Sequence, residues 1–441
     1  MKRKLIFTAL ISLLISGSSL VAQENGKELS LTLKEAQDYA MQNNKMVKSA
    51  KLTVEGSQSE VWSAIASGLP QISASAGYVD NFKLGVFFLT MNNVPTIIQM
   101  GSTYSVPMNL QVSLPLFNAP YYVGIETVKL AQKLAASNLQ NIEIDNRQSV
   151  ASAYYLILVS EESLRILKDN LENLRETIKS TKAMYATGMA EASDVDQMVS
   201  NVTMVENSFS NLQSTIEVNY NLLRFLLGVK ADTKITLTET LDNLVKDINV
   251  QALLSQNFNP VNNIQYDLMD KQVQMSALNL KAQKAKVLPM LSSVYSATRS
   301  GMANKLSDML WFSSSYLGAQ LSIPIFASGQ RYSDIRKAKI DLEKAMNSKE
   351  MVSDQLNMQE KQLKFNLQNA NMQYISQKGN VEVSKRLYSS MENKYKQGMA
   401  SSLELTQANQ LYLQAENNYI SSLLNLLQTK LSFDKLLNNL Q

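Results

Sequence analysis

The side chains that most often carry enzyme chemistry are missing from this sequence. It has 0 cysteines and 0 histidines, which excludes thiolate nucleophiles, disulfides, a lipoprotein cysteine and Cys/His zinc sites. What remains is the chemistry of carboxylates, ammonium groups and hydroxyls, and it gathers at two glycine turns. Gly188-Met189-Ala190 is followed by Ser193, Asp194 and Asp196, and Gly398-Met399-Ala400 by a serine pair and Glu404. Glycine stops a helix by adopting the left-handed conformation, and a short polar residue soon after can cap the next one. The spacing predicts two helical-hairpin tips, with Asp194 or Ser193 capping the helix after the first. No nucleophile–base spacing favours an enzyme, and nothing resembles a nucleotide-binding loop, so no cofactor is expected. The other carboxylates read as solvated helix faces.

The elements that must position these tips begin after a leader. Lys2, Arg3 and Lys4 precede the apolar run 5–15 and small residues through Ala22, which is the pattern of a secretory signal peptide over 1–22. The run falls short of the roughly 20 residues needed to cross a bilayer. The formal charge of +4 falls to near neutral without the three leader bases, leaving no electrostatic reason to expect nucleic acid. A helix-rich exported chain with no long apolar run is periplasmic, exported, or held in an outer membrane by strands.

Internal similarity sets the organisation. Gln111-Val-Ser-Leu-Pro-Leu-Phe117 matches Gln320-Leu-Ser-Ile-Pro-Ile-Phe326, and Tyr185-Ala-Thr-Gly-Met-Ala190 matches Tyr395-Lys-Gln-Gly-Met-Ala400. Leu69-Pro70 and Leu288-Pro289 form a third pair, whose spacing leaves about ten extra residues in the first half, between its Leu-Pro and its Pro-Leu-Phe. The expected repeats are 23–230, with a β-hairpin over about 70–117 and a tip near 188, and 261–441, with a hairpin over 289–326 and a tip near 398. Residues 231–260 connect them.

Within each repeat the period changes from two to about 3.5. Val106, Met108, Leu110, Val112, Leu114 and Leu116 alternate with polar positions, as do Leu317, Ala319, Leu321, Ile323 and Ile325. That alternation predicts strands with one apolar and one polar face. The upstream partners are 71–78 and 291–298, and aromatic residues crowd the strand ends. A transmembrane barrel fits these features, but four strands cannot close one, so several chains must share it. Leu164, Leu167, Leu171, Leu174 and Ile178 form a coiled-coil seam. Long helices are predicted over about 32–66, 126–184, 192–227, 262–286, 330–395 and 403–438.

This order of helix, Leu-Pro, strand, loop, strand, Pro-Leu-Phe, long helix, Gly turn and helix, used twice, resembles the TolC family of outer-membrane efflux proteins. The opening Leu31-Thr-Leu-Lys-Glu-Ala-Gln-Asp-Tyr-Ala40 with Asn43-Asn44, and Asn259-Pro260 at the second repeat, are similar to that family too. The resemblance covers essentially the whole chain after the leader. It implies a mainly α fold in which antiparallel helices form a periplasmic α-barrel tunnel, continued by a 12-stranded β-barrel to which each of three protomers gives four strands. It also implies an outer-membrane exit duct of a tripartite efflux pump or type I secretion system in a Gram-negative bacterium. Its expected partners are a periplasmic adaptor and an inner-membrane pump of the RND or ABC kind.

In such a duct Asp194, Asp196 and Glu404 are the candidates for the periplasmic aperture. Gly188, Met189, Ala190, Gly398, Met399 and Ala400 are the candidates for adaptor docking. Gln407 and Ala400 stand where relatives carry charges, so the same salt-bridged gate is not expected. The competing class is a secreted coiled-coil protein without a pore. It accounts for the helices but not for the two-faced hairpins and the duplication.

Overall fold

The computed structural model describes residues 28–91, 94–246 and 248–440, so the leader expected over 1–22 lies outside the described residues. In chain order the elements are β1 (Leu29–Leu31), α1 (Leu33–Asn43), α2 (Lys45–Ala66), β2 (Gln71–Ala76), β3 (Val79–Asp80), β4 (Gly85–Met91), β5 (Val94–Met100) and β6 (Tyr104–Phe117). There follow α3 (Ala119–Ala186), α4 (Ala192–Leu227), β7 (Ile235–Leu237), α5 (Leu241–Lys246), α6 (Val250–Leu254) and α7 (Ile264–Ala285). The chain then runs through β8 (Met290–Ala303), β9 (Leu310–Ser322), α8 (Gln330–Lys396) and α9 (Ser402–Leu436). It divides into two compact units, each drawing segments from both halves of the sequence.

One unit comprises the chain up to Asn44, Ser149–Asn249 and Gln373–Leu427. Here β1 pairs in parallel with β7. Tyr154 is fully buried beneath them, its hydroxyl donating to the Leu31 carbonyl at 3.1 Å and accepting from the Glu239 N–H at 3.3 Å. The predicted seam on α3 is present: Leu171 and Leu174 are buried against Val205 of α4, with Leu167, Val202 and Leu413 around them. Helix α1 opens on a capping box, in which the Thr32 N–H donates to Glu35 Oε2 at 2.8 Å and the Glu35 N–H to Thr32 Oγ1 at 3.3 Å, satisfying donors that a helix start leaves unpaired.

The helix predicted over 32–66 is two helices, broken at Asn44, whose ψ of 132° is extended. The buried Asn44 amide donates to the Leu226 carbonyl at 2.7 Å, closing the end of α4. Gly228 follows at φ 72°, and a Cβ there would lie 2.4 Å from the Asn43 carbonyl oxygen.

The other unit comprises Lys45–Gln148, Val250–Met372 and the chain from Gln428 onward. Its main sheet is antiparallel in the order β2-β6-β8-β9, with β3 also paired to β6. Register confirms the two faces. Leu110 lies opposite Ala74 and Ala297, and Asn109 opposite Ser75 and Thr298. The apolar face is open: Ile72 and Leu317 are 71% and 75% exposed. At one end Tyr78 stacks on Tyr104 and the Arg299 guanidinium lies 5.1 Å above the Trp311 ring. Lys281–Glu126, Lys349–Asp270 and Lys435–Asp145 ion pairs tie helices beyond the sheet. Asn263 repeats the role of Asn44, its amide donating to the Leu436 carbonyl at 3.0 Å while its Oδ1 accepts from the Gln265 N–H.

Two boundaries and one loop differ from expectation. Strand β9 stops at Ser322, so Ile323 and Ile325 fall outside it; Pro324 has no N–H to offer a ladder, and its carbonyl is taken by Arg331 Nη1 at 2.6 Å. Helix α3 starts seven residues early, at Ala119, with Pro120 in its first turn where a missing N–H costs nothing. The extra length in the first inter-strand loop is an additional hairpin, β4–β5, paired among the described residues only with itself.

Gly228→Ala should destabilise the protein by about 2 kcal/mol or more, since it adds left-handed strain to a clash. Gly124→Ala, inside α3 with nothing within 4 Å of the new Cβ, should stabilise it by about 0.5–1 kcal/mol. Thermal unfolding of the two variants beside the parent checks both signs.

Candidate functional site

Both glycine turns close in the same way. Gly188 has φ 77° and Gly398 φ 70°. The Met189 N–H donates to the Met184 carbonyl at 2.8 Å and the Gly188 N–H to Tyr185 at 3.0 Å. At the second turn Met399 donates to Lys394 at 2.8 Å and Gly398 to Tyr395 at 2.9 Å. This pair of bonds satisfies carbonyls that a helix end would otherwise leave bare. A Cβ at either glycine would meet nothing within 4 Å, so backbone conformation, not crowding, requires glycine here. Met189 and Met399 project outward, 75% and 66% exposed.

The residues after each turn start the next helix. Glu191, not Asp194 or Ser193, is the N-cap of α4. Asp194 sits three positions on and its Oδ2 reaches back to accept the Glu191 N–H at 2.9 Å, while Ser193 Oγ donates to Glu191. The prediction named the right cluster but placed the cap two or three residues late. In the second tip, Glu404 Oε2 accepts from the Ser401 N–H at 2.8 Å and its own N–H donates to Ser401 Oγ at 3.2 Å, a complete capping box.

Asp194 does more than serve its own helix. Its Oδ1 accepts a hydrogen bond from Ser402 Oγ at the start of α9, and Ser402 also lies 3.2 Å from Gln197 Oε1. The two tips are thereby joined through a buried serine. Further polar links run above it: Thr181 and Tyr395 hydroxyls at 2.7 Å, Asn201 Nδ2 to Thr406 Oγ1 at 2.8 Å, and Asn170 Nδ2 to Asn409 Oδ1 at 2.6 Å. Tyr395 is buried with Tyr388, Leu405 and Ala408, and Ala400 packs on that cluster. Its counterpart in the matched motif, Tyr185, is 52% exposed.

The site residues therefore separate by role. The structure brings Asp194 to Ser402 and Glu404 to Ser401, and leaves Asp196 and Gln407 exposed. Ala190 and Ala400 are half-buried. The Ser402 hydroxyl, and after it the Glu191 N–H, hold the Asp194 carboxyl below its ordinary value. The N–H and then the hydroxyl of Ser401 do the same for Glu404. The polar links from Thr181 to Asn409 were not anticipated, because their partners stand about two hundred positions apart in sequence. The one signal available was Tyr395 within the repeated motif. Among the described residues no group of three or more acidic side chains could hold a metal ion, and no helix is long and apolar enough to cross a membrane.

Because the folded Asp194 has a lowered pKa, it contributes stability that is present above the unfolded value, near 3.8, and lost as pH falls through the folded one. Ser402→Ala should cost about 1 kcal/mol at pH 7, and its deficit against the parent should close in acid. Thermal unfolding from pH 7 to 3 reads this; a deficit constant throughout would mean that Asp194 is not the acceptor that matters.

Comparison with known proteins extends this geometry. The model of the family described as outer membrane efflux protein matches residues 37–229 and 268–439. The pyoverdine export outer membrane protein OpmQ of Pseudomonas aeruginosa is 24% identical over 263 residues, covering 56% of this chain and 54% of that one. The chain thus matches about half the length of this curated relative. In fold it is similar to VceC of Vibrio cholerae, an outer membrane protein (TM-score 0.72, 14% identity, 92% of this chain and 95% of that one), and to the CmeC outer membrane channel of Campylobacter jejuni (0.71, 16%, 92% and 85%). With a family model matching both halves of the sequence, the chain is an outer-membrane protein and belongs to the outer membrane efflux protein family.

Proposed function

We propose that three copies of this chain form the exit duct of a tripartite efflux or secretion assembly, each giving four strands to one barrel and its long helices to one periplasmic tunnel. The observation that carries this reading is the sheet: four antiparallel strands, of 6 to 14 residues, with an exposed apolar face and a polar one. Strands of this kind suit a bilayer-spanning barrel, and four are too few to close one. A soluble coiled-coil protein would leave that apolar face without a purpose.

In this reading the tips face the periplasm. Asp194, Asp196 and Glu404 set the charge of the entrance, with Asp194 also latching the tips. The turns at Gly188–Ala190 and Gly398–Ala400 receive a periplasmic adaptor, which couples the duct to an inner-membrane RND or ABC pump. Cargo moves passively through the duct, and the pump supplies the free energy. The family and its structural relatives are channels rather than enzymes, which fits a chain whose carboxylates cap helices.

Light scattering of the detergent-extracted protein, corrected for bound detergent, should return three times the mass of the processed chain; a soluble monomer absent from the outer membrane would sink the duct. In planar bilayers Asp196→Asn with Glu404→Gln, which keeps the second capping box, should lower cation preference by a factor of about two or more. Ala190→Cys and Ala400→Cys, in a chain with 0 native cysteines, should crosslink to an adaptor. Capture only from cysteines placed in 231–260 would move the docking surface there.

A further inference from the structure

The polar face of the main sheet carries no Asp, Glu, Lys or Arg across β2, β6, β8 and β9. Antiparallel register places Ser75, Asn109, Thr298 and Ser314 in one row across the four strands. Ser73, Gln111, Ser296 and Tyr316 form the adjacent row. At the centre, Asn109 Oδ1 accepts from Ser296 Oγ at 2.9 Å and from Thr298 Oγ1 at 3.0 Å, so this carboxamide is fixed by its own sheet. The charges that the strands do carry lie on the other face. Arg299 stands opposite Met108 and Ser313, over the Trp311 ring, and Asp80 opposite Tyr104.

Rings of charged side chains are the usual means by which a pore selects the sign of its cargo. A cleft lined by one sign of charge holds a potential of several kT and concentrates counter-ions. Hydroxyls and carboxamides can replace part of a solute's hydration shell, yet carry no net charge with which to discriminate. Lumen-facing positions of a barrel tune its selectivity; here the two central rows are hydroxyls and carboxamides, which interact with anions and cations alike, and the rest of the face, Pro107, Val294 and Phe312 among it, is uncharged.

We infer that the exit segment of the duct is charge-blind, a fixed lining of hydroxyls and carboxamides centred on Asn109 that passes cargo of either sign. Discrimination by charge then resides in other parts of the chain. The inference rests on the reading that this sheet lines a shared barrel with its polar face toward the lumen.

The test uses the full chain, reconstituted and conducting, with Asn109→Cys and Leu110→Cys as separate variants. Ser75→Cys, in the same row, stands in where Asn109→Cys does not insert. Each is treated with a cationic and an anionic water-soluble methanethiosulfonate, and rates are normalised to those of a free thiol in solution. The Asn109 position should react with both reagents, with normalised rates within about twofold of each other, and about tenfold or more faster than Leu110. A normalised difference of about tenfold or more in either direction would overturn the charge-blind lining while leaving the barrel intact. An Asn109 position that is silent, or matched by Leu110, would overturn the facing itself and the barrel reading with it.

Discussion

A sheet that meets hydrocarbon has no water to satisfy its backbone, so an N–H or C=O left unpaired there costs several kcal/mol. The main sheet of this protein ends on β9 at one margin and on β2, with the short β3 after it, at the other, each bonded on one side only among the described residues. In the proposed duct that shortfall is the constraint to which the rest of the design answers. A sheet cannot remain open at both margins in a bilayer, and four strands cannot curl far enough to join their own ends. In the duct proposed above, further copies would repeat the same margin, β9 of one beside β2 of the next. In that arrangement the helices that continue each strand would stand side by side with those of their neighbours.

At the tips a different balance operates. Beside their apolar clusters, α3, α4, α8 and α9 are joined by directional polar pairs: Asn with Asn, Asn with Thr, Thr with Tyr, Ser with Asp. Apolar residues of similar volume would hold such a bundle at least as tightly, since buried polar pairs return little net stability. What directional pairs supply is register, because each is satisfied in one alignment of the helices and unsatisfied in those one turn away. Residual imperfection is visible: Asn170 Oδ1 and the Tyr388 hydroxyl are buried without a hydrogen-bond partner among the described residues. Burial drives the Tyr388 hydroxyl pKa upward, away from ionisation.

The sequence disclosed this architecture unevenly, and the unevenness has physical causes. Period-two alternation is strong in 106–116 because polar and apolar side chains fall on opposite faces of one strand, and the observed β6 covers that stretch. The seam from Leu164 to Ile178 was legible for the equivalent reason at helical period, and both glycine tips because left-handed turns demand glycine. Hairpin β4–β5 was missed because Val86-Phe-Phe-Leu89 and Ile97-Ile98 are apolar on both faces, and without alternation a run of that length does not declare its conformation. The break at Asn44 was missed because its cause, the Leu226 carbonyl, lies 182 positions away. The links joining the tips share that difficulty: Ser402 is an ordinary helix-start residue until Asp194 is beside it.

The two buried asparagines have a bearing on how the molecule comes to be. Asn44 closes the end of a helix whose final turn is made about 180 residues later, and Asn263 waits in the same way for Leu436. A polypeptide threaded into a new compartment from its amino end presents each asparagine long before the carbonyl it will cap. Neither junction can be completed while synthesis or export of its half is under way, and contacts so remote in sequence are slow to find. During that interval the apolar strands and seams are uncovered, and such surfaces associate with the wrong partners. The placement of two side-chain amides thus makes maturation proceed in two successive closures, each waiting for the last helix of its own half of the chain.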